Sequence, residues 1–412
     1  MSRRTALAGA PGVTSEAVPG GIDSGRAWMV AVAGLVANAA CWGTLNSFGA
    51  FLDSMTEEFD ASLGATALIY ALPTFVLFML GVATGALADT YGPRRLVASG
   101  AVLAGAGLLA TAHASSLPLA IATYGLGLGL GMACFLVPMT ACIGGWFVRR
   151  RAVAQGLSAA GAGLGTLAVV PTSRWLIDSY GWRRAYEVLA LTVFLALALG
   201  ASVATRPPLI GDARAPRPSL SRMRAAVSTG PFAAVYLGGL LLTAALYIPL
   251  VFLVRYATSH GVTARDAAFL LSILGASNIV SRLVATSLAG RFRPSRVYLA
   301  CFALLPAGMG VWLVSGSSYA MLAVSAAVIG VSHGGYVALS PEITAELFGV
   351  AEMGAVLGAL WTGPGIAGLL SPVLAGVAID RAGYMATICG AAVLALAAVA
   401  VQLPLRHATQ SR

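Results

Sequence analysis

The residue whose chemistry stands out is Arg282, because it lies within an apolar run, 267–290, long enough to be a membrane helix. It is about eight residues from the nearer end of that run, roughly 12 Å at helical rise, too far for its guanidinium to reach lipid headgroups easily. A buried guanidinium costs several kcal/mol unless it is paired, yet all fifteen acidic residues lie at span ends or in loops. We therefore expect Arg282 to face the protein interior, where it either binds an anionic ligand or donates hydrogen bonds to backbone carbonyls or a helix end.

Three polar residues are expected to share the interior with Arg282. Asn278 precedes it by four residues, so both project from one helix face, where the amide orients the guanidinium or ligand, or simply holds helices together. His333 lies inside another apolar run, between Ser332 and two glycines, and an imidazole there either carries a proton, donates to the ligand or is satisfied by a neighbouring helix. Tyr336, three residues on, shares the face of His333 or packs as an ordinary aromatic.

Candidates in other spans either line a central cavity or are packing residues; packing is favoured for Trp42, and Trp361, beside the kink-forming 363–365 (GPG), either gates the cavity or is a core aromatic. These candidates are Tyr124, Asn38, Trp42, Asn46 and Trp361. The sequence offers no phosphate-binding loop, catalytic triad order or metal cluster, and the glycine run 125–131 lies within an apolar span. The sequence therefore predicts that the protein is not an enzyme and binds no cofactor or metal. The glycines of the run are expected to permit close contact between helices.

The whole chain is built to position such groups inside a membrane. Of its 412 residues, 58 % are hydrophobic and 10 % are charged, against about a quarter charged in soluble domains. Apolar runs predict twelve transmembrane helices, an all-α polytopic membrane protein: 28–52, 65–88, 96–113, 117–143, 153–177, 185–204, 231–254, 267–290, 297–315, 318–340, 353–379 and 384–404. The net charge of +10 does not indicate nucleic-acid binding, because the arginines are scattered over short loops instead of forming a basic stripe.

Arginine placement predicts the orientation in the membrane. The 25 basic residues are all arginine; if the N-terminus is cytoplasmic, only six lie outside, namely Arg174, Arg183, Arg184, Arg255, Arg265 and Arg381. The positive-inside rule therefore predicts that both termini are cytoplasmic. The expected organisation is an N-terminal tail 1–27, a six-helix bundle 28–204, a Pro- and Arg-rich cytoplasmic linker 205–230, a second bundle 231–404 and a tail 405–412.

An internal repeat supports this division. Residues 81–89 (GVATGALAD) end the second span and residues 283–291 (LVATSLAGR) end the eighth, and a short basic turn follows each. Similarity six spans apart predicts a duplicated transporter whose halves rock about a central site.

Two motifs carry a resemblance to known families. The segment 85–95 (GALADTYGPRR), with Gly85, Asp89, Gly92, Arg94 and Arg95, resembles the loop motif of the major facilitator superfamily. The segment 146–165 (WFVRRRAVAQGLSAAGAGLG), with Arg149, Arg150 and Arg151, resembles the fifth-helix signature of the monocarboxylate transporter family, and Asp23-Ser24-Gly25 with Trp28 is a partial first-helix signature. The resemblance implies two pseudo-symmetric six-helix bundles of the major facilitator fold, a bacterial family member in the inner membrane, and Arg282 as the carboxylate-binding residue.

The resemblance also implies proton symport of a small organic anion, a lactate-like or aromatic monocarboxylate, by a monomeric unit in the bilayer. Two departures affect the coupling: Asn46 stands where proton-coupled animal members have lysine, and Asn278 stands where they have aspartate. The proton would then travel on His333 or with the substrate as neutral acid. Carboxylate exchange, proton-driven efflux of amphipathic compounds and, more remotely, a non-transporting membrane sensor are the alternatives.

Overall fold

The computed structural model describes residues 22–205, 227–348 and 353–404, and these residues are almost entirely helical. The helices are α1 (Gly25–Asn46), α2 (Phe48–Glu58), α3 (Leu63–Tyr91), α4 (Pro93–Ala112), α5 (Leu117–Trp146), α6 (Arg151–Val203), α7 (Gly230–Ser259), α8 (Ala264–Ala289), α9 (Pro294–Leu313), α10 (Tyr319–Phe348) and α11 (Met353–Gln402). The predicted tails and most of the predicted linker lie outside the described residues, so those boundaries stay predictions.

Ten of these helices are long and apolar enough to cross a membrane. Two of them, α6 and α11, are 53 and 50 residues long, and each changes direction at one glycine, Gly181 (φ 81°) and Gly383 (φ 78°). A positive φ is readily adopted by glycine, so each long helix forms two spans joined by a one-residue turn. Twelve spans result, with α1 and α2 together making the first, which confirms the predicted fold class.

The packing of the helices is pseudo-symmetric. In the N-terminal half, α1–α6, helix α1 packs on α6, α3 on α5, and α4 on both α5 and α6. In the C-terminal half, α7–α11, the corresponding contacts are α7 on α11, α8 on α10, and α9 on both α10 and α11. The halves meet through α3 with α11 and through α6 with α8, two contacts that are exchanged by the same symmetry.

Small residues allow the backbones of these helices to touch. A Cβ added to Gly165 of α6 would collide with the carbonyl oxygen of Ala39 in α1, and one added to Gly334 of α10 would collide with the carbonyl oxygen of Asn278 in α8. The predicted role of the run 125–131 is also confirmed, because Gly127 lies directly against Gly107 of α4. Such contacts replace the hydrophobic driving force that is missing between helices in lipid.

Several predicted span ends differ from the helix ends. The segment between 177 and 185, which was expected to be a loop, is helical up to the Gly181 turn. Helix α2 ends at Glu58 instead of 52, α7 ends at Ser259 instead of 254, and α10 ends at Phe348 instead of 340. The apolar runs stop earlier than the helices because helical hydrogen bonding continues beyond the hydrocarbon layer, where charged side chains are tolerated.

At one end of the bundle the two halves are joined by charged groups. Arg255 at the end of α7 forms an ion pair with Asp53 of α2, and the backbone N–H of Leu63 at the start of α3 donates to Oδ2 of Asp380 in α11 (3.0 Å). The second contact places a carboxylate of one half at a helix N-terminus of the other, where the helix dipole favours it. Both contacts must break if this end is to open.

Candidate functional site

The guanidinium of Arg282 lies between the halves with incomplete coordination. Its Nε donates to Oδ1 of Asn278 one turn earlier (2.9 Å), as expected for two residues on one helix face, and its Nη1 makes a long contact to the carbonyl oxygen of Ala159 in α6 (3.4 Å). Arg282 is only half-buried, and among the described residues no carboxylate forms an ion pair with it. Guanidinium has five N–H donors, so most of its hydrogen-bonding capacity is free.

Contact between α8 and α10 brings His333 to the same place. Gly334 touches the backbone of Asn278, and Ser281 Oγ donates to the carbonyl oxygen of Val331 (2.5 Å), so the two helices are fixed against each other on both sides of His333. The imidazole is within electrostatic range of Arg282, and its buried Nδ1 has no hydrogen-bond partner among the described residues. A buried ring nitrogen without a partner costs free energy, as expected of a group that meets a ligand or a proton.

Tyr336 and Trp361 belong to an array of aromatic rings that crosses between the halves. We call Trp42, Phe78, Trp361 and Tyr336 the aromatic row. Trp361 is parallel to Phe78 (ring centroids 5.6 Å apart, interplanar angle 3°), while Trp42 lies 6.5 Å from Phe78 and Tyr336 lies 6.1 Å from Trp361. Tyr336 is buried, whereas the other three are half-buried.

The polar candidates of the N-terminal half are fully engaged in packing. Asn38 Nδ2 donates to Ser158 Oγ of α6 (3.2 Å) and to the carbonyl oxygen of Gly34, and Asn46 Nδ2 donates to Thr166 Oγ1 of α6 (2.8 Å). Tyr124 OH donates to the carbonyl oxygen of Thr44 (3.2 Å), within a cluster of buried rings. In this conformation the three side chains join helices, which is the alternative that the sequence left open.

The motif residues surround the helix ends. Gly85 lies on α3 against Val137 of α5, Gly92 forms the α3–α4 turn with φ 87°, and Arg94 and Arg95 are exposed at the start of α4. Asp89 lies in α3, and its side chain is outside the described part of the chain.

The two signatures of the resemblance meet each other. The carboxylate of Asp23 accepts from the backbone N–H groups of Arg149 (3.2 Å) and Arg150 (3.4 Å), at the start of α6. The guanidinium of Arg151 lies over Gly144 of α5, where an added Cβ would be 2.9 Å from Nη2. These contacts tie the segment before α1 to the turn between α5 and α6.

Sequence reasoning missed several residues of the site. Ser158, Thr166 and Phe78 carry no local signal, because they matter only through partners on other helices. Asp380 was detectable, since 379–384 (IDRAGY) repeats the pattern Ile-Asp-x-x-Gly-aromatic of 177–182 (IDSYGW) around the two helix-breaking glycines.

The arrangement of these groups suits the binding of an anion. Among the described residues no group of His, Cys, Asp and Glu is arranged to hold a metal ion. An unpaired guanidinium, an adjacent imidazole and a lining of aromatic rings lie instead between two pseudo-symmetric bundles. This combination defines a membrane transporter class in which the substrate is enclosed between halves.

Comparisons with known proteins agree with this assignment. The model of the Major Facilitator Superfamily matches residues 30–372 and 235–412. Monocarboxylate transporter 13 of Rattus norvegicus is 29 % identical over 388 residues, 93 % of this chain and 90 % of that protein; monocarboxylate transporter 3 of the same species is 31 % identical over 368 residues, 87 % and 75 % respectively.

A solved structure shares the fold. The inward-facing, unoccupied crystal structure of a bacterial homologue of the human lysosomal transporter Spinster covers 92 % of this chain and 96 % of its own, with a TM-score of 0.76 at 15 % identity. The chain therefore belongs to the Major Facilitator Superfamily and, within it, to the monocarboxylate transporter family. This confirms the resemblance that the loop motif and the fifth-helix signature predicted.

Proposed function

We propose that the protein is a secondary transporter of a small organic anion, a monocarboxylate such as lactate, with no enzymatic activity of its own. The observation that carries the proposal is the open coordination of Arg282 between the halves. A carboxylate presents two oxygens in the plane that a guanidinium fork requires, and the resulting charge-assisted hydrogen bonds are about twice as strong as neutral ones. Substrate binding would thus offset the free-energy cost of an unpaired guanidinium within the membrane.

Arg282 is also well placed to couple binding to movement. It belongs to α8 of the C-terminal half and contacts Ala159 of α6 in the N-terminal half, so a carboxylate bound there touches the boundary that alternating access must rearrange. The Asp53–Arg255 and Leu63–Asp380 contacts join the two halves at one end of the bundle. Transport would require these contacts to separate when the opposite end closes.

Proton symport is the coupling we propose. His333 lies where α10 packs on α8 around Asn278 and Ser281, and its Nδ1, which has no partner among the described residues, supports a role in carrying the proton. Because two like charges oppose each other, the imidazole would take the proton only once a bound carboxylate has neutralised Arg282; the alternative route is the protonated substrate itself. Exchange of one carboxylate for another needs no proton, and stimulation of uptake by internal carboxylate at equal pH would favour it. We further propose cytoplasmic termini, location in a bacterial inner membrane and a monomeric functional unit.

The test is uptake of labelled lactate and benzoate into proteoliposomes containing wild-type, Arg282→Ala or Arg282→Lys protein. We expect loss of uptake in Arg282→Ala and partial uptake in Arg282→Lys, because an ammonium keeps the charge without the planar fork. Arg184→Ala is the matched control, since Arg184 is an exposed arginine paired with Glu187. Full activity of both Arg282 variants would remove the carboxylate site.

A further inference from the structure

The aromatic row is accessible although it lies deep in the bundle. Trp361 is eight residues beyond the first residue of α11, on the order of 12 Å along the helix, and remains half-buried. Its ring is stacked on Phe78 of the opposite half and lies 6.1 Å from Tyr336, so it is part of the boundary between the halves. Trp175 shows the contrast, because it is 57 % exposed and its ring partner is Tyr180 of the same helix.

The aromatic row starts on α10, close to the part of α8 that carries Arg282. Tyr336 follows His333 by three residues on α10, so the two side chains lie on one face. Between them, Gly334 and Gly335 pack directly on Asn278 and Ser281 of α8, and Asn278 accepts the hydrogen bond of Arg282. From Tyr336 the rings continue through Trp361 and Phe78 to Trp42. A charged group therefore lies at one end of a continuous series of π faces supplied by four helices, α10, α11, α3 and α1.

This arrangement suits a ligand with two distinct parts. A carboxylate satisfies Arg282, and a flat ring gains from offset or edge contacts with other rings beyond simple burial. The methyl group of lactate would leave the row without a partner, and an aliphatic ring of equal size would lack the complementary quadrupole.

We propose that the substrate is an aryl carboxylate, in which a short chain joins an aromatic ring to the acid, and that Trp361 and Phe78 take up the ring while Arg282 holds the carboxylate. The inference rests on the proposed function, because it assigns the body of the substrate whose acid group Arg282 binds. Trp361 and Phe78 then determine specificity, since they distinguish one carboxylate from another.

The experiment compares 3-phenylpropanoate with 3-cyclohexylpropanoate and lactate in competition for uptake by the full-length protein in proteoliposomes. We expect 3-phenylpropanoate to be preferred over its cyclohexyl analogue by about three- to tenfold. Trp361→Leu and Phe78→Leu should abolish this preference, Trp361→Phe should retain it, and Trp175→Leu is the matched control that should keep both the preference and the uptake rates. Because a leucine substitution also changes the packing of the rings, thermal stabilisation of the purified variants by each acid provides a second measurement.

The outcomes separate the two proposals. Equal affinity for phenyl and cyclohexyl acids, or an unchanged preference in both leucine variants, overturns the aryl assignment while carboxylate transport stands. If none of the three acids is transported or stabilises the protein, the carboxylate function fails and the aryl assignment fails with it. If the acids are transported but Arg282→Ala leaves their uptake unchanged, Arg282 is not the carboxylate site, and the assignment of the ring to Trp361 and Phe78 loses its anchor.

Discussion

Arg183 in the N-terminal half and Arg282 in the C-terminal half are coordinated in opposite ways. Arg183 Nη1 donates to the carbonyl oxygens of Ala112 (2.9 Å) and Ala114 (3.0 Å), and Nη2 pairs with Glu58 (2.8 Å), while its guanidinium lies 4.4 Å from the Trp182 ring centroid. Arg282 has one amide oxygen and one distant carbonyl. The arginine nearer to water is the better satisfied one, which is the reverse of what stability alone would favour.

The same difference extends to the neighbouring polar residues. Asn38 and Asn46 hold α1 to α6 through Ser158 and Thr166, whereas Asn278 is used to orient Arg282 and His333 Nδ1 has no partner among the described residues. The two asparagines of the N-terminal half are thus used to hold helices together. We infer that the N-terminal half supplies a rigid wall with Phe78 as its aromatic contact, and that the C-terminal half supplies the polar binding groups.

The largest expected effect comes from neutralising the two arginines in turn. Arg282→Gln removes a charge that binds the substrate, so carboxylate uptake should fall by at least about 100-fold, the loss of two charge-assisted hydrogen bonds. Arg183→Gln should lower the melting temperature and leave the KM for uptake within about twofold. Equal loss of uptake in both variants would show that the comparison reflects stability alone.

His333→Gln tests whether the unpaired imidazole serves coupling. Glutamine retains hydrogen-bonding groups but cannot change its charge, so we expect carboxylate-driven proton movement to fall by roughly tenfold, while exchange of labelled for unlabelled carboxylate at equal pH persists. The measurement is acidification of the proteoliposome interior after addition of substrate, reported by an enclosed pH-sensitive dye. Unchanged proton movement would assign the proton to the neutral acid form of the substrate.

The asparagines give a smaller and more specific comparison. Asn278→Ala frees the guanidinium of Arg282 from its orienting amide, and we expect the KM for carboxylate to rise about three- to tenfold with little change in melting temperature. Asn46→Ala removes the hydrogen bond to Thr166 and should cost about 1 kcal/mol of stability with KM unchanged. If Asn46→Ala raised the KM and Asn278→Ala lowered only the stability, the binding groups would be assigned to the N-terminal half and the structural groups to the C-terminal half.

The architecture was predictable from hydropathy, but the division of labour was not. Twelve spans follow from apolar length, and Arg282 was identified because a charge inside such a span is rarely accidental. The partners of Asn38 and Asn46 could not be predicted, since Ser158 and Thr166 are each 120 residues away and resemble many other small polar residues of the chain. Phe78 was missed for the same reason, because an aromatic residue in an apolar span carries no signal until its stacking partner is known.

The ion pair of Arg183 provides the smallest expected effect. Its hydrogen bond to Glu58 lowers the pKa of that carboxyl below the usual value. A lowered folded-state pKa stabilises the protein above the unfolded pKa, about 4.3, and this contribution disappears as pH falls through the folded-state value. Both side chains are well exposed (39 % and 42 %), so solvent screening reduces the effect, and Glu58→Gln should lower the melting temperature at pH 7 by only about 1 °C.

The melting temperatures of wild type and Glu58→Gln should converge as the pH falls through the folded-state pKa of Glu58, because the carboxyl then becomes neutral. Glu57→Gln is the matched control, since Glu57 is an adjacent exposed glutamate that forms no ion pair within the described part of the chain. A difference between wild type and Glu58→Gln that does not shrink as the pH falls would mean that Arg183 is held by its carbonyl contacts and by Trp182 instead. In that case Arg183 would differ from Arg282 in its neutral partners and not in its ion pair. Two carbonyl oxygens would be enough to hold Arg183, whereas the amide oxygen and the distant carbonyl oxygen of Arg282 leave it open to a ligand.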